Sequence, residues 1–329
     1  MNLADASVVV CAYTLDRWDQ LVDAVESAAD QALGAELVIV IDHNPELLAL
    51  ATHRWPEHVV MANRFGRGLS GARNSGVNAA TGDVIAFLDD DAVAAPGWLA
   101  ALVAPFDDPS VGCVGGRVEP DWGAPEPAWL PAEFRWVVGC SYVGQPTQEA
   151  EIRNPIGASM AVRRAVFERV GGFREEIGRT HRLPLGCEET ELAIRARRAG
   201  WRTWYQPDSV VHHHVPASRT TLHYFMRRCL AEGLSKATVS AMAGREAGLS
   251  AERTYVTATL PAAARQAASQ AIHGPERAAA VGRLAAIAAG LAAAVAGYCR
   301  GAVGHVLRPR SLADAPIVEP IPDSLALIS

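Results

Sequence analysis

Three adjacent carboxylates, Asp89-Asp90-Asp91, close the apolar run Val84-Ile85-Ala86-Phe87-Leu88. Side by side they repel one another unless a cation or hydrogen-bond donors offset their charge. A Mg²⁺ or Mn²⁺ ion bridging carboxylate and phosphate oxygens is the economical solution, because hard ions take oxygen ligands and leave positions open for substrate. A solvated turn capping the helix that starts near Pro96 would use the same residues. A second acidic group, Glu188, Glu189 and Glu191, is followed by Arg195, Arg197 and Arg198. One carboxylate there can act as a general base, although this order of charges also simply complements a helix dipole. His212-His213-His214 add imidazole ligands after Val210-Val211.

For these groups to meet, the elements between them must deliver them to one edge. Val8–Ala12, Leu37–Ile41 and Val84–Leu88 read as buried strands, with Val59-Val60-Met61 as a further apolar piece. Trp18, Leu21, Val22, Val25 and Ala29 recur at helical spacing, and another helix is predicted from about Ser70 to Ala80. Buried strands separated by helices predict an α/β fold with a mostly parallel sheet covered on both faces. Ligands bind beyond the carboxyl ends of such strands, which gathers Tyr13, Asp42 and Asp89–Asp91 along one edge. Prolines at 120, 125, 127, 131 and 146, with Trp122, Trp129 and Trp136 between them, make residues 119–154 read as a large, partly ordered loop over the site. Regular structure is expected again at Ile156–Val162, in helices at Arg163–Val170 and near Glu189–Ala199, and in a last strand around Thr203–Tyr205 leading through Pro207 to His214. From Ala231 the chain is Ala-rich, with helices predicted over Pro261–Gly274 and Ala278–Tyr298.

The chain's 329 residues suit about two domains, and its 50% hydrophobic content supports a sizeable core. A net charge of −6 argues against a general nucleic-acid binder. Six cysteines without metal-ligand spacing behave as small core residues and fit a reducing, cytoplasmic location. No secretory signal is read at the start, where the apolar run is only Val8–Ala12.

Val8–Tyr13, Val38–Asn44, Gly68-Leu69-Ser70-Gly71-Ala72-Arg73-Asn74-Ser75-Gly76, Phe87–Asp91, Gly171-Gly172-Phe173 and Glu188-Glu189-Thr190-Glu191-Leu192 occur in the order typical of family 2 glycosyltransferases of the GT-A fold. The chain resembles that family from about residue 7 to 215. The resemblance implies a nucleotide-sugar donor bound by Cys11, Tyr13, Asp42, Arg73, Asp89 and Asp90. It implies Mn²⁺ or Mg²⁺ on Asp91 and a histidine, for which His213 matches best among the three. Glu189 corresponds to the general base and Glu188 to a partner that holds hydroxyls. Glutamate replaces the usual aspartate as base, so its carboxylate sits one methylene farther from the backbone. The implied division is a catalytic domain over 1–230, with a donor half to about 118 and an acceptor half from 119, followed by a helical region over 231–329.

Pro127–Pro131, Phe134–Tyr142 and Arg153–Gly157 resemble the branch acting on dolichyl-phosphate-linked sugars. That implies a hydroxyl acceptor, in one form polyprenyl-linked, met by Trp129, Trp136 and Gly157; loop core is the competing role for these residues. In the tail, sixteen uncharged residues between Arg283 and Arg300 fall short of the roughly 20 that span a bilayer. Gly282, Gly290 and Gly297 permit close helix packing. A hairpin packed on the catalytic domain or a second subunit is therefore expected, with peripheral membrane contact as its competitor. Two further readings stand beside the transferase. Asp89-x-Asp91-x-Val93 resembles a haloacid-dehalogenase-type phosphatase loop, which needs a later lysine, and Lys236 is the sole lysine. A nucleotide-sugar-binding protein without catalysis is the other.

Overall fold

A computed structural model describes residues 3–31, 34–178, 186–244 and 249–307. The apolar runs form a single nine-stranded sheet ordered β3-β2-β1-β4-β8-β6-β9-β5, with β7 paired to β9. Its first half is parallel: β1 (Ala6–Ala12) lies between β2 (Glu36–Ile41) and β4 (Val84–Asp89), and β3 (Val59–Ala62) adds to β2. Their connections carry α1 (Trp18–Ala29), α2 (Pro45–Arg54) and α3 (Leu69–Ala79). Side chains alternate across the sheet as strand geometry requires. Val8, Val10, Ile39 and Ile41 pack on one face, and Val9, Val38 and Val40 on the other.

The second half departs from the uniform parallel pattern. β8 (Ser159–Arg163) runs antiparallel to both β4 and β6 (Val111–Trp122), while β6 pairs parallel with β9 (Arg202–Val215). β9 is one strand across Pro207, because a register shift at Gly116/Arg117 of β6 accommodates the interruption. The short β5 (Ala92–Ala94) turns back from Asp91 and pairs antiparallel with β9, setting Ala92 opposite His213. α4 (Trp98–Val103), α5 (Arg164–Val170) and α6 (Glu188–Arg198) cover the faces, and β7 is Ala150–Glu151.

The proline-rich stretch is the partly ordered loop expected along the site, and it is also packed into a core of its own. Leu130, Phe134 and Val137 are buried with residues of α7 (Leu222–Ala243), α9 (Leu260–His273) and α10 (Arg277–Leu307), beyond the short α8 (Ser250–Thr254). The expected division at residue 230 falls inside α7. Gly233 and Gly297 bring α7 and α10 together: a Cβ at Gly233 would lie 2.0 Å from the Ala294 carbonyl oxygen, and one at Gly297 2.1 Å from that of Leu230. The apolar helix is also longer than expected. It continues past Arg283 and Arg300, and Arg277–Gly304 is long and apolar enough to cross a membrane by length and composition, with 28% of its most apolar window buried.

Candidate active site

Parallel pairing sets the ends of β1, β2 and β4 side by side, with Cys11 level with both Val40 and Asp89. Asp89 therefore emerges at the carboxyl edge, and the β5–β9 pairing returns His213 to it. Ligand atoms of Asp89, Asp91 and His213 all lie within 4.8 Å of one another. Asp91 Oδ2 accepts from Arg219 (3.1 Å) and faces Arg17 (3.2 Å), whereas Oδ1 lies 3.2 Å from His213 Nε2. Adjacent ligands of one octahedral ion with bonds of about 2.1 Å stand ~3 Å apart, so the Asp91–His213 spacing fits a shared cation. Two carboxylates and an imidazole also suit Mn²⁺ or Mg²⁺ better than a thiolate-seeking ion.

Strand alternation puts His213 on the side of the acidic triplet: His213 is buried, His212 is exposed, and His214 turns to Asp121. Behind the ring, His213 Nδ1 faces the Cys140 thiol at 3.8 Å. Burial opposes ionisation of Asp91, but His213, Arg219 and Arg17 together hold its pKa well below the ordinary value. Asp90 behaves oppositely. Burial and the adjacent Asp91 push it up to about 7 against the pull of Arg17, which donates to its Oδ1 at 2.8 Å. Asp90 thus joins Asp91 in the arginine-held base of the triplet, while Asp89 lines the cavity.

Arg73 is no solvated cation on an exposed helix. It is buried in α3, donating from Nη1 to Glu188 (2.9 Å) and from Nη2 to Asp89 (3.1 Å) and the Gly157 carbonyl (3.0 Å). A Cβ at Gly157 would come within 2.9 Å of that guanidinium. One cation thus ties the tip of β4 to the start of α6.

Cys187, at a left-handed φ of 77°, turns the chain into α6. Glu191 is taken by Arg174 and Arg195. Glu189 is half-buried, and burial together with neighbouring Glu188 raises it from 4.5 to about 7. A carboxylate with a pKa near neutrality is suited to take a proton and release it again.

Asp89, Glu188, Glu189 and His213 share the wall of a cavity of about 660 Å³, so a continuous cleft joins Asp89 and His213 to the second acidic group. Trp136 and Gly157 line it too. Trp129 does not; it packs edge-on to Phe225 in the helical core, 5.5 Å between ring centres.

At the end of β2, Asp42 accepts from Asn63 (2.7 Å) and the Gly68 backbone (2.9 Å), ordering the glycine-rich turn into α3. Tyr13 is 48% exposed under Arg17. Burial raises the Cys11 thiol to about 12. Arg17 and Arg219 were not anticipated from sequence. Their partners are 73 and 128 residues away in the chain, and no local pattern marks either one.

These features describe a nucleotide-sugar-type α/β scaffold with an acidic, cation-ready edge. The family descriptor Glycosyl transferase family 2 matches residues 7–171. The chain is 36% identical over 236 residues to the glucosyl-dolichyl phosphate glucuronosyltransferase of Haloferax volcanii, covering 70% of this chain and 75% of that protein. It is 27% identical to the succinoglycan biosynthesis protein ExoM of Rhizobium meliloti, covering 78% and 85% of the two chains. The protein belongs to glycosyltransferase family 2 and is a glycosyltransferase.

Among solved structures, a Pyrobaculum calidifontis mannosyltransferase in complex with GDP-Man and Mn²⁺ shares the fold at TM-score 0.54 and 22% identity, covering 87% of this chain and 86% of that one. GalNAc-T7 with UDP, GalNAc and Mn²⁺ does so at 0.50 and 20%, covering 72% and 50%. Both agree with the expected GT-A architecture. The phosphatase reading falls with the family. Lys236, its required lysine, is paired with Glu232 and Glu252.

Proposed function

We propose that the protein is a metal-dependent, inverting glycosyltransferase that moves a sugar from a UDP-sugar to a hydroxyl of a lipid-linked glycan. The observation that carries this reading is the cleft that Asp89, His213 and Glu189 line together, with Asp91 grouped directly behind Asp89 and His213. Asp91 and His213 would hold Mn²⁺ or Mg²⁺, with Asp89 at the donor sugar. When bound, that ion supplies positive charge against the departing diphosphate. Cys11, Tyr13, Asp42 and Arg73 lie on the nucleotide side. Arg73 fixes Glu188 and Asp89 relative to each other, while Glu189 takes the proton of the acceptor hydroxyl as its oxygen attacks the anomeric carbon. The bond to the diphosphate breaks on the opposite face, and the anomeric configuration inverts.

The lipid-linked acceptor is supported by the name of the Haloferax relative and by the aromatic wall of the cleft, which includes Trp136, Tyr142 and Tyr255. The length and apolarity of α10 support contact with the inner face of a membrane, and six free thiols agree with a reducing compartment.

A thermal-shift panel of UDP-, GDP- and dTDP-sugars with Mn²⁺ tests the donor. UDP compounds are expected to raise Tm most, and no response from any of them removes the donor assignment.

A further inference from the structure

Five charged side chains stand at the helical end of the cleft, beyond the residues given a role above: Arg153, Arg228, Glu232, Lys236 and Glu252. Three cations face two carboxylates, so the group carries one surplus positive charge. The pairing shows where that surplus falls. Lys236 sits between Glu232 (3.3 Å) and Glu252 (2.9 Å), and Arg153 donates to Glu252 at 2.9 Å. Among the described residues Arg228 has a single ionic contact, from Nη2 to Glu232 at 3.0 Å. Its Nε and Nη1 are buried with no hydrogen-bond partner among the described residues, in a side chain only 8% exposed.

A guanidinium carries five N–H donors in a planar fork. Leaving two of its nitrogens dry and unpaired is expensive unless an anion completes them. The plane is already positioned: Trp136 stacks against it at 5.9 Å, and Gly186, just before α6, lies alongside. Next to it the wall changes character, with Leu260, Leu291, Val295 and Tyr298 contributed largely by α10.

We propose that Arg228 is the phosphate-binding residue of the acceptor subsite, taking the phosphate of an isoprenoid phosphate while the chain of that lipid runs along the apolar wall of α10. The inference rests on the lipid-linked acceptor reading above and gives it a residue. It orders the acceptor along the cleft, with the sugar hydroxyl at Glu189, the phosphate at Arg228 and the lipid toward α10. A planar charge that stays ionised when dry and offers donors on several edges favours arginine over lysine for this task.

The test is titration calorimetry on the full chain with farnesyl phosphate, farnesol and inorganic phosphate. Wild-type protein is expected to bind farnesyl phosphate about tenfold or more tightly than farnesol, and Arg228→Gln to erase that preference, the scale of one charge-assisted contact. Arg228→Lys keeps the charge at the Glu232 pair and guards against a glutamine variant that fails to fold. It is expected to weaken farnesyl phosphate binding with farnesol binding unaltered. A phosphate preference that survives both substitutions overturns the assignment, and inorganic phosphate binding as tightly as farnesyl phosphate overturns the lipid source. Failure of the transferase reading is seen separately, as wild-type protein that gives no Mn²⁺-dependent response to any nucleotide sugar.

Discussion

Glu189 and Arg73 divide the residue-scale chemistry between proton transfer and positioning. Glu189→Gln is expected to leave donor affinity within about twofold and to lower transfer by about 10²-fold or more, the range typical of losing a general base; steady-state rates beside donor titration check this. Because Glu189 is raised to about 7, transfer in wild type should climb with pH through that value and level off above it. The same shift bears on stability. Between 4.5 and about 7 the native state binds more protons than the unfolded one, so this group's contribution falls as pH rises across that window. Glu189→Gln should consequently raise Tm at pH 8 and not at pH 4. Arg73 acts differently, since its removal strands two carboxylates. Arg73→Met is expected to cost about 3 kcal/mol or more in urea unfolding, the scale of breaking a buried ion pair. The motif around Arg73 was legible in the sequence, but its burial was not, because Glu188 is 115 residues away. Arg17 and Arg219 escaped notice for the same reason.

At the scale of elements, strands with unbroken β-branched runs were readable and a glycine-diluted one was not. β1, β2 and β4 stand where their apolar runs predicted. β6 was missed because glycines 112, 115 and 116 dilute its pattern. The folded chain needs their small size: a Cβ at Gly112 would meet Trp201 at 2.7 Å, and one at Gly116 would meet Ser159 Oγ at 2.5 Å. β9 was expected around Thr203–Tyr205, leading through Pro207 to His214, and its partner strand shows how the proline is absorbed. The glycines expected to allow close helix packing do so, with Gly282 against Trp129 and Gly290 against Phe134 and Phe225. The tightest contacts sit at the α7–α10 seam. Gly233→Ala, whose new methyl would meet a backbone carbonyl, is expected to destabilise by about 2 kcal/mol from overpacking. Thermal unfolding should show it as a lowered Tm.

Across the whole molecule, the helical tail packs against the sheet domain's proline-rich stretch and lines the cleft; it is not an appendage. It buries the proline-rich stretch, closes one end of the cleft and presents a long apolar helix. A packed hairpin was expected from the spaced glycines, but which surface it covers was not legible, because an Ala-rich helix reads alike whether it packs on a domain, on another subunit or against lipid. Flotation with anionic vesicles is expected to recover the full chain, and replacing exposed Val281, Val295 and Val303 with Ser should reduce recovery severalfold. Unchanged recovery would place membrane contact elsewhere.

The whole account is best judged by following nucleoside-diphosphate release from the UDP-sugar selected by thermal shift, as Mn²⁺ is titrated into wild-type protein and into His213→Ala. Release that saturates with metal in the wild type, vanishes with chelator and drops at least about tenfold in the variant is the expected result. Turnover that proceeds without metal, or is unaffected by losing the His213 imidazole, would contradict it.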